Sequence, residues 1–154
     1  MLESSFTLLR EIGAFSVREN EEIRFSIDAY HGYRYVSVRR YLNVDGFSGA
    51  TRDGITLTPE ITRALAARLQ ALPDDFKHLP SGVIGKFAKR PGICVVATVA
   101  TFRGLRGLDL RQTENDQFTK KGIWIGLEKW AEVKKLFQKT VEVLDEAVPD
   151  LDDF

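Results

Sequence analysis

"TRDGITLTPE" (51–60) and "TKKGIWIGLE" (119–128) say nearly the same thing 68 residues apart. Gly54, Ile55, Leu57 and Glu60 of the first stretch return as Gly122, Ile123, Ile125 and Glu128 of the second. In the first, "ITL" (55–57) reads as a short strand. Thr58 then suits a helix N-cap, and Pro59 the first helical position, where its missing N–H costs nothing. Ile61, Leu65, Leu69 and Leu72 continue at helical spacing as one apolar stripe. In the second, Gly126 takes the cap position. Trp130, Val133, Phe137, Val141, Leu144 and Val148 form a longer stripe, stopped by Pro149. A strand followed by a helix is thus written twice.

The correspondence extends upstream. "IGAF" (12–15) matches "IGKF" (84–87), and "YHGYRYVSVRR" (30–40) aligns with "FRGLRGLDLRQ" (102–112), each at an offset of 72. The change to 68 places one four-residue deletion between Arg111 and Thr119, opposite "NVDGFSGA" (43–50). That stretch reads as a Gly-rich loop, where length changes cost least. "EIRFSID" (22–28) alternates Ile23, Phe25 and Ile27 with polar neighbours, the period of a half-buried strand. "RYVSVRRYL" (34–42) is a second strand, with His31-Gly32 as the turn between them. "PDDFKHLPSG" (73–82) is the linker. The expected fold is therefore α+β, with two repeats over residues 1–75 and 76–154, each a small antiparallel sheet followed by one helix.

At 154 residues, the chain has the apolar and charged fractions of a globular protein. Its N-terminus carries no signal-peptide pattern, and its longest apolar run, "ICVVATVA" (93–100), is too short to span a bilayer. The single cysteine, Cys94, sits in that run and reads as a small buried apolar residue. A reducing, intracellular setting is expected. The net charge of zero is unevenly spread. Glu142, Asp145, Glu146, Asp150, Asp152 and Asp153 crowd the last thirteen residues, leaving a body with six surplus positive charges. A basic body with an acidic tail is a polarity found in nucleic-acid proteins.

The order strand, "HG" turn, "YVSVRRY", loop, "RDGITLTPE", helix resembles the transcriptional positive cofactor four family of single-stranded-DNA-binding coactivators. It is most similar to the bacterial and phage branch, which has a leading segment like "EIGAFSVREN" (11–20). The resemblance runs over residues 10–148 apart from the linker, and "FRGLRGLDLRQ" and "TKKGIWIGLEKW" carry it in the second copy. It implies a curved antiparallel sheet of about four strands backed by a helix in each copy. The two copies would pack helix against helix as an intramolecular pseudo-dimer, with grooves for unpaired strands. The family's DNA-contacting positions fall on Tyr30 and Phe102, His31 and Arg103, Tyr33 and Leu105, and Arg39 and Arg111. Its basic pair falls on Arg52-Asp53 and Lys120-Lys121. Its stacking tryptophan falls on Leu42 and Glu114, so that contact is missing, and Asp53 replaces a lysine.

These residue types fit the chemistry. A single strand held without sequence preference needs cations along its phosphates and flat rings for its bases, each stacked base contributing roughly 1–3 kcal/mol. Five retained cations (Arg39, Arg52, Arg111, Lys120 and Lys121) imply a log–log salt slope of about −3 to −4. By strand parity Tyr33, Tyr35, Ser37, Arg39 and Tyr41 share a face opposite Val36, Val38 and Leu42. That face suits either a base platform or packing against a neighbour. Trp124 suits either stacking or packing, whereas Trp130 lies on the helix stripe and reads as core. His31 and His78 lack acidic or cysteine partners at ligand spacing, so no metal, cofactor or catalytic site is expected. The tail "PDLDDF", with Asp152, Asp153 and Phe154, resembles the C-terminal tip of bacterial and phage single-stranded-DNA-binding proteins. It would compete with DNA for the groove, recruit a transcription or replication-repair partner through Phe154, or simply aid solubility.

The expected function is single-stranded DNA or RNA binding without enzymatic activity, in transcription regulation or replication and repair. The expected location is cytoplasmic and nucleoid-associated in a bacterial or phage setting, nuclear in a eukaryotic one. The alternative is a protein-interaction module associated with RNA polymerase, its groove decayed.

Overall fold

Apolar residues at every second position build strands along most of the chain. A computed structural model describes residues 7–146. The strands are β1 (Thr7–Arg18), β2 (Glu21–Tyr30), β3 (Tyr33–Val44), β4 (Phe47–Leu57), β5 (Gly82–Arg90), β6 (Ile93–Phe102), β7 (Leu105–Glu114) and β8 (Gln117–Gly126). Helix α1 (Pro59–Gln70) follows β4, and α2 (Trp130–Asp145) follows β8 after one 3₁₀ turn. Val148, Pro149, Asp152, Asp153 and Phe154 lie outside the described residues.

The fold is α+β, with one antiparallel sheet of eight strands that curls into a half-barrel. This corrects the expectation of two separate sheets of about four strands. The strand order β1-β2-β3-β4-β8-β7-β6-β5 joins the two halves edge to edge through Gly54 and Gly122, the pair recorded between β4 and β8. At this pair the join covers an edge that each half would otherwise leave open.

The Gly-rich stretch 43–50 is no loop either. Strand β3 runs to Val44 and β4 begins at Phe47, with only Asp45-Gly46 between them. Two-residue turns are the favoured hairpin connections because their twist matches that of the strands. The "HG" turn is another. His31 and Gly32 have φ of 49° and 80°, and Arg103 and Gly104 have 52° and 81°. A basic residue stands at the same strained left-handed position in both hairpins, where Asn or Gly is the usual choice.

Cross-strand neighbours on one face supply the core. Phe25, Val38 and Ile55 lie side by side across β2, β3 and β4, and Ala97, Leu110 and Ile123 across β6, β7 and β8. All are buried, and the helices add Ile61, Leu65 and Leu69 from α1 and Trp130, Val133, Phe137 and Leu144 from α2. These residues form one apolar cluster containing members of both halves. Trp130 is core as expected, its Nε1 donating to the Pro73 carbonyl (2.9 Å). Cys94 is only half-buried. It pairs with Thr113, on the sheet face opposite the apolar cluster, so the apolar run around it is not uniformly core.

Each helix packs on the sheet of the other half as well as its own surroundings. α1 lies against β3 and β5, α2 against β1 and β2, and the helices touch one another. Phe137 of α2 meets Phe25 of β2 edge to face at 5.1 Å, a favoured aromatic geometry. Leu136 of α2 lies over Gly13 of β1, where an added Cβ would come within 2.8 Å of its Cδ2. Two arginines tie off the helical segments. Arg34 Nη1 donates to Leu144 O (3.4 Å) and Arg106 Nη1 to Phe76 O (3.4 Å).

The cap predicted at Thr58 forms. Its side-chain oxygen accepts from the Ile61 amide at 3.2 Å, with Pro59 next in the helix. Replacing Thr58 with Ala is expected to lower unfolding free energy by about 1 kcal/mol. Denaturant melts would read this as a lower midpoint at unchanged slope, and an unchanged midpoint would show the cap to be unimportant.

Candidate nucleic-acid interface

The two stretches quoted at the outset form matching β-bulges. Between Arg39 and Tyr41 the register of β4 jumps from Gly54 to Ala50, and between Arg111 and Thr113 that of β8 jumps from Gly122 to Phe118. A bulge leaves extra residues off the ladder and re-aims their side chains. Here those residues include Arg52, Asp53, Lys120 and Lys121.

The threonine of each stretch pins its bulge. Thr51 Oγ1 donates to Arg40 O (2.9 Å) and accepts from the Asp53 amide (3.1 Å). Thr119 Oγ1 donates to Gln112 O (2.8 Å) and accepts from the Lys121 amide (3.2 Å). The glycine gives room for an arginine. The Arg39 guanidinium lies over Gly54 and reaches Thr51 O (3.0 Å), and that of Arg111 lies over Gly122 and reaches Lys120 O (3.3 Å). The pattern T-x-x-G-I therefore encodes a pinned bulge with an arginine seated behind it.

A groove lies on either side of the Gly54–Gly122 junction. The larger, of about 710 Å³, is lined by Tyr30 of β2, Tyr35 and Arg39 of β3, Arg52, Gly54 and Thr56 of β4, Lys89 and Arg90 of β5, Gln112 of β7, and Lys120 and Lys121 of β8. Among the described residues, six of its lining residues are cations and none is a carboxylate. None of the six makes an ion pair among the described residues. Lys89 Nζ is held by Gln112 Oε1 (3.2 Å) and Thr56 O (3.3 Å). Burial lowers the Lys89 ammonium from its ordinary pKa, and repulsion from Arg90 and Lys121 lowers it further. On β2, opposite Tyr35, burial raises the Asp28 carboxyl, while the Ser26 hydroxyl and the Arg39 charge hold it back. The described lining of the groove is therefore net positive.

The other groove, of about 550 Å³, has a different character. Arg40 is paired with Glu21 and lies 3.6 Å from Asp53, and Arg18 lies 3.5 Å from Glu21. The Trp124 indole lies over Gly107, whose hydrogen leaves the space that any Cβ would fill. Phe102 meets that indole at 6.4 Å, and Arg40 Nη2 donates to the Trp124 carbonyl (2.9 Å).

Of the residues singled out from the sequence, Tyr30, Arg39, Arg52, Lys120 and Lys121 meet in the larger groove. Tyr33 stands at the β2–β3 hairpin tip, 68% exposed, and Tyr30 and His31 contact ring to ring there at 4.2 Å. Phe102 and Arg103 occupy the β6–β7 tip, the guanidinium 5.1 Å from the ring centre. Arg111 is neutralised by Asp109 (2.8 Å) and does not line the larger groove. The carboxylate two residues before it has no counterpart at Ser37, two before Arg39. Trp124 is half-buried, its indole over Gly107 and at the wall of the smaller groove. Sequence reasoning passed over Lys89, Arg90 and Gln112. Their signal was a basic pair just before the Pro91-Gly92 turn, but nothing local shows that β5 comes round to face β4.

No protein-family model matches the chain, and no curated protein matches it by sequence.

Proposed function

We propose that this protein binds single-stranded nucleic acid with little sequence preference, as an internally duplicated pseudo-dimer. The larger groove carries the proposal. Six cations without ion-pair partners among the described residues, joined by the rings of Tyr30 and Tyr35, supply the phosphate and base contacts that single strands require. The duplication is supported by contacts that recur at the offsets of the sequence repeat. Examples are Thr51–Arg40 with Thr119–Gln112, Arg34–Leu144 with Arg106–Phe76, and the junction glycines themselves. Fusing two modules makes their association independent of protein concentration. A role in transcription regulation or in replication and repair follows from this activity, through partners that the acidic tail would recruit.

The test is fluorescence anisotropy with labelled single-stranded DNA, duplex DNA and single-stranded RNA over a salt series. Binding to single strands above duplex, with a slope of about −3 to −4 in log K against log salt, is expected. Absence of binding at low salt would discard the proposal. The neutralised second groove favours the alternative, a protein-interaction module, and retention of a polymerase or repair protein without any strand binding would establish that reading.

A further inference from the structure

The two grooves flanking the Gly54–Gly122 junction occupy corresponding positions in the repeat, yet their chemistry differs at two of three pairs of equivalents, and at the third the two arginines have different neighbours. Lys121 corresponds to Asp53, Arg90 to Arg18, and Thr56 to Trp124. On the larger side Lys121 and Arg90 add charge beside a small Thr56. On the smaller side Asp53 draws Arg40, Glu21 holds both Arg40 and Arg18, and the Trp124 indole takes up the space above Gly107. Four cations there, with Arg52 shared between the two grooves, face three carboxylates, Glu21, Asp53 and Glu128.

We infer that the protein is a one-sided binder, in which a single strand enters only the groove of Arg39, Arg52, Lys89, Arg90, Lys120 and Lys121, and its counterpart is closed by charge neutralisation and by Trp124. The inference rests on the function proposed above and fixes which surface performs it. Two physical effects separate the grooves. A phosphate entering the larger one relieves repulsion among crowded cations and releases counterions from the strand. A phosphate entering the smaller one must compete with carboxylates that already hold the arginines. A base there would meet a half-buried indole, one side of which is covered by Gly107.

Matched substitutions at equivalent positions test this. Isothermal titration with a short oligothymidylate should give one strand per chain for the unmodified protein. Arg90→Ala and Lys121→Ala should each weaken binding about fivefold at 0.1 M salt, the effect of losing one phosphate contact. Arg18→Ala and Asp53→Ala should change it less than twofold. Asp53→Lys combined with Trp124→Thr gives the smaller groove two residues of the larger and should raise the stoichiometry above one. Two strands per unmodified chain would overturn the inference, as would equal losses in the Arg90 and Arg18 variants. Absence of any strand binding by the unmodified protein would instead remove the functional proposal, and the inference with it. Should the double variant not fold, the Arg90–Arg18 and Lys121–Asp53 comparisons still decide, since all four side chains are exposed.

Discussion

Replacing Gly122 with Ala should destabilise the protein by about 3 kcal/mol, at the upper end for overpacking a well-filled site. An added Cβ at Gly122 would fall well inside contact distance of the Leu110 carbonyl oxygen, which the β7–β8 ladder fixes, and 2.8 Å from Arg111 Cζ. Neither a buried strand nor its hydrogen-bonded neighbour can yield without disturbing the junction between halves. For a chain of this length the loss corresponds to a fall in melting temperature of about 6–12 °C. The same change at Gly54 should cost less. Its Cβ would come 2.9 Å from Val38 O, and its closest contact, at 2.6 Å, is the end of the flexible Arg39 side chain. Calorimetry of the two variants gives the comparison directly. Equal melting temperatures in both variants and the unmodified protein would mean that the junction does not require glycine.

Replacing Lys120 and Lys121 together with Ala should weaken single-strand binding roughly 25-fold at 0.1 M salt. The magnitude follows from counterion release. With about 0.7 counterions freed per phosphate contact, one contact is worth about fivefold at that concentration, and two multiply. The slope of log K against log salt should become shallower by about 1.4. Stability should hardly change, because both side chains are exposed and sit on a bulge outside the ladder. The salt series therefore distinguishes a lost phosphate contact from a misfolded site. A variant that binds less well with an unaltered slope would remove these lysines from the strand's path.

Much of the fold can be read locally. The Thr58 cap, the Pro59 start, the His31-Gly32 turn and the apolar stripes of α1 as far as Leu69 and of α2 as far as Leu144 all depend on residues a few positions apart, and these are present where expected. The threonine and glycine of "TRDGITL" and "TKKGIWI" likewise set their bulges through contacts with the neighbouring strand. The extent of β4 was underestimated because "NVDGFSGA" contains the glycines of a loop. Those at 46 and 49 serve instead a two-residue hairpin and an extended strand that tolerate them, with φ of 83° and 142°.

Parity along β3 placed Arg39 and Tyr35 on one face, but it could not say which arginines keep their charge. Arg39 and Arg111 hold equivalent places in the sequence. Among the described residues Arg39 has no ion pair, whereas Arg111 is neutralised by Asp109 two residues before it on the same strand. Nor could any local pattern bring Lys89 and Arg90 of β5 to Tyr35 of β3, strands that stand far apart in the sheet order and meet only because the sheet curls. Residue order specifies the strands, turns, caps and bulges because their energies depend on near neighbours. The charge of a groove depends on distances between groups remote in the chain, and only the closure of the eight-stranded sheet sets those distances.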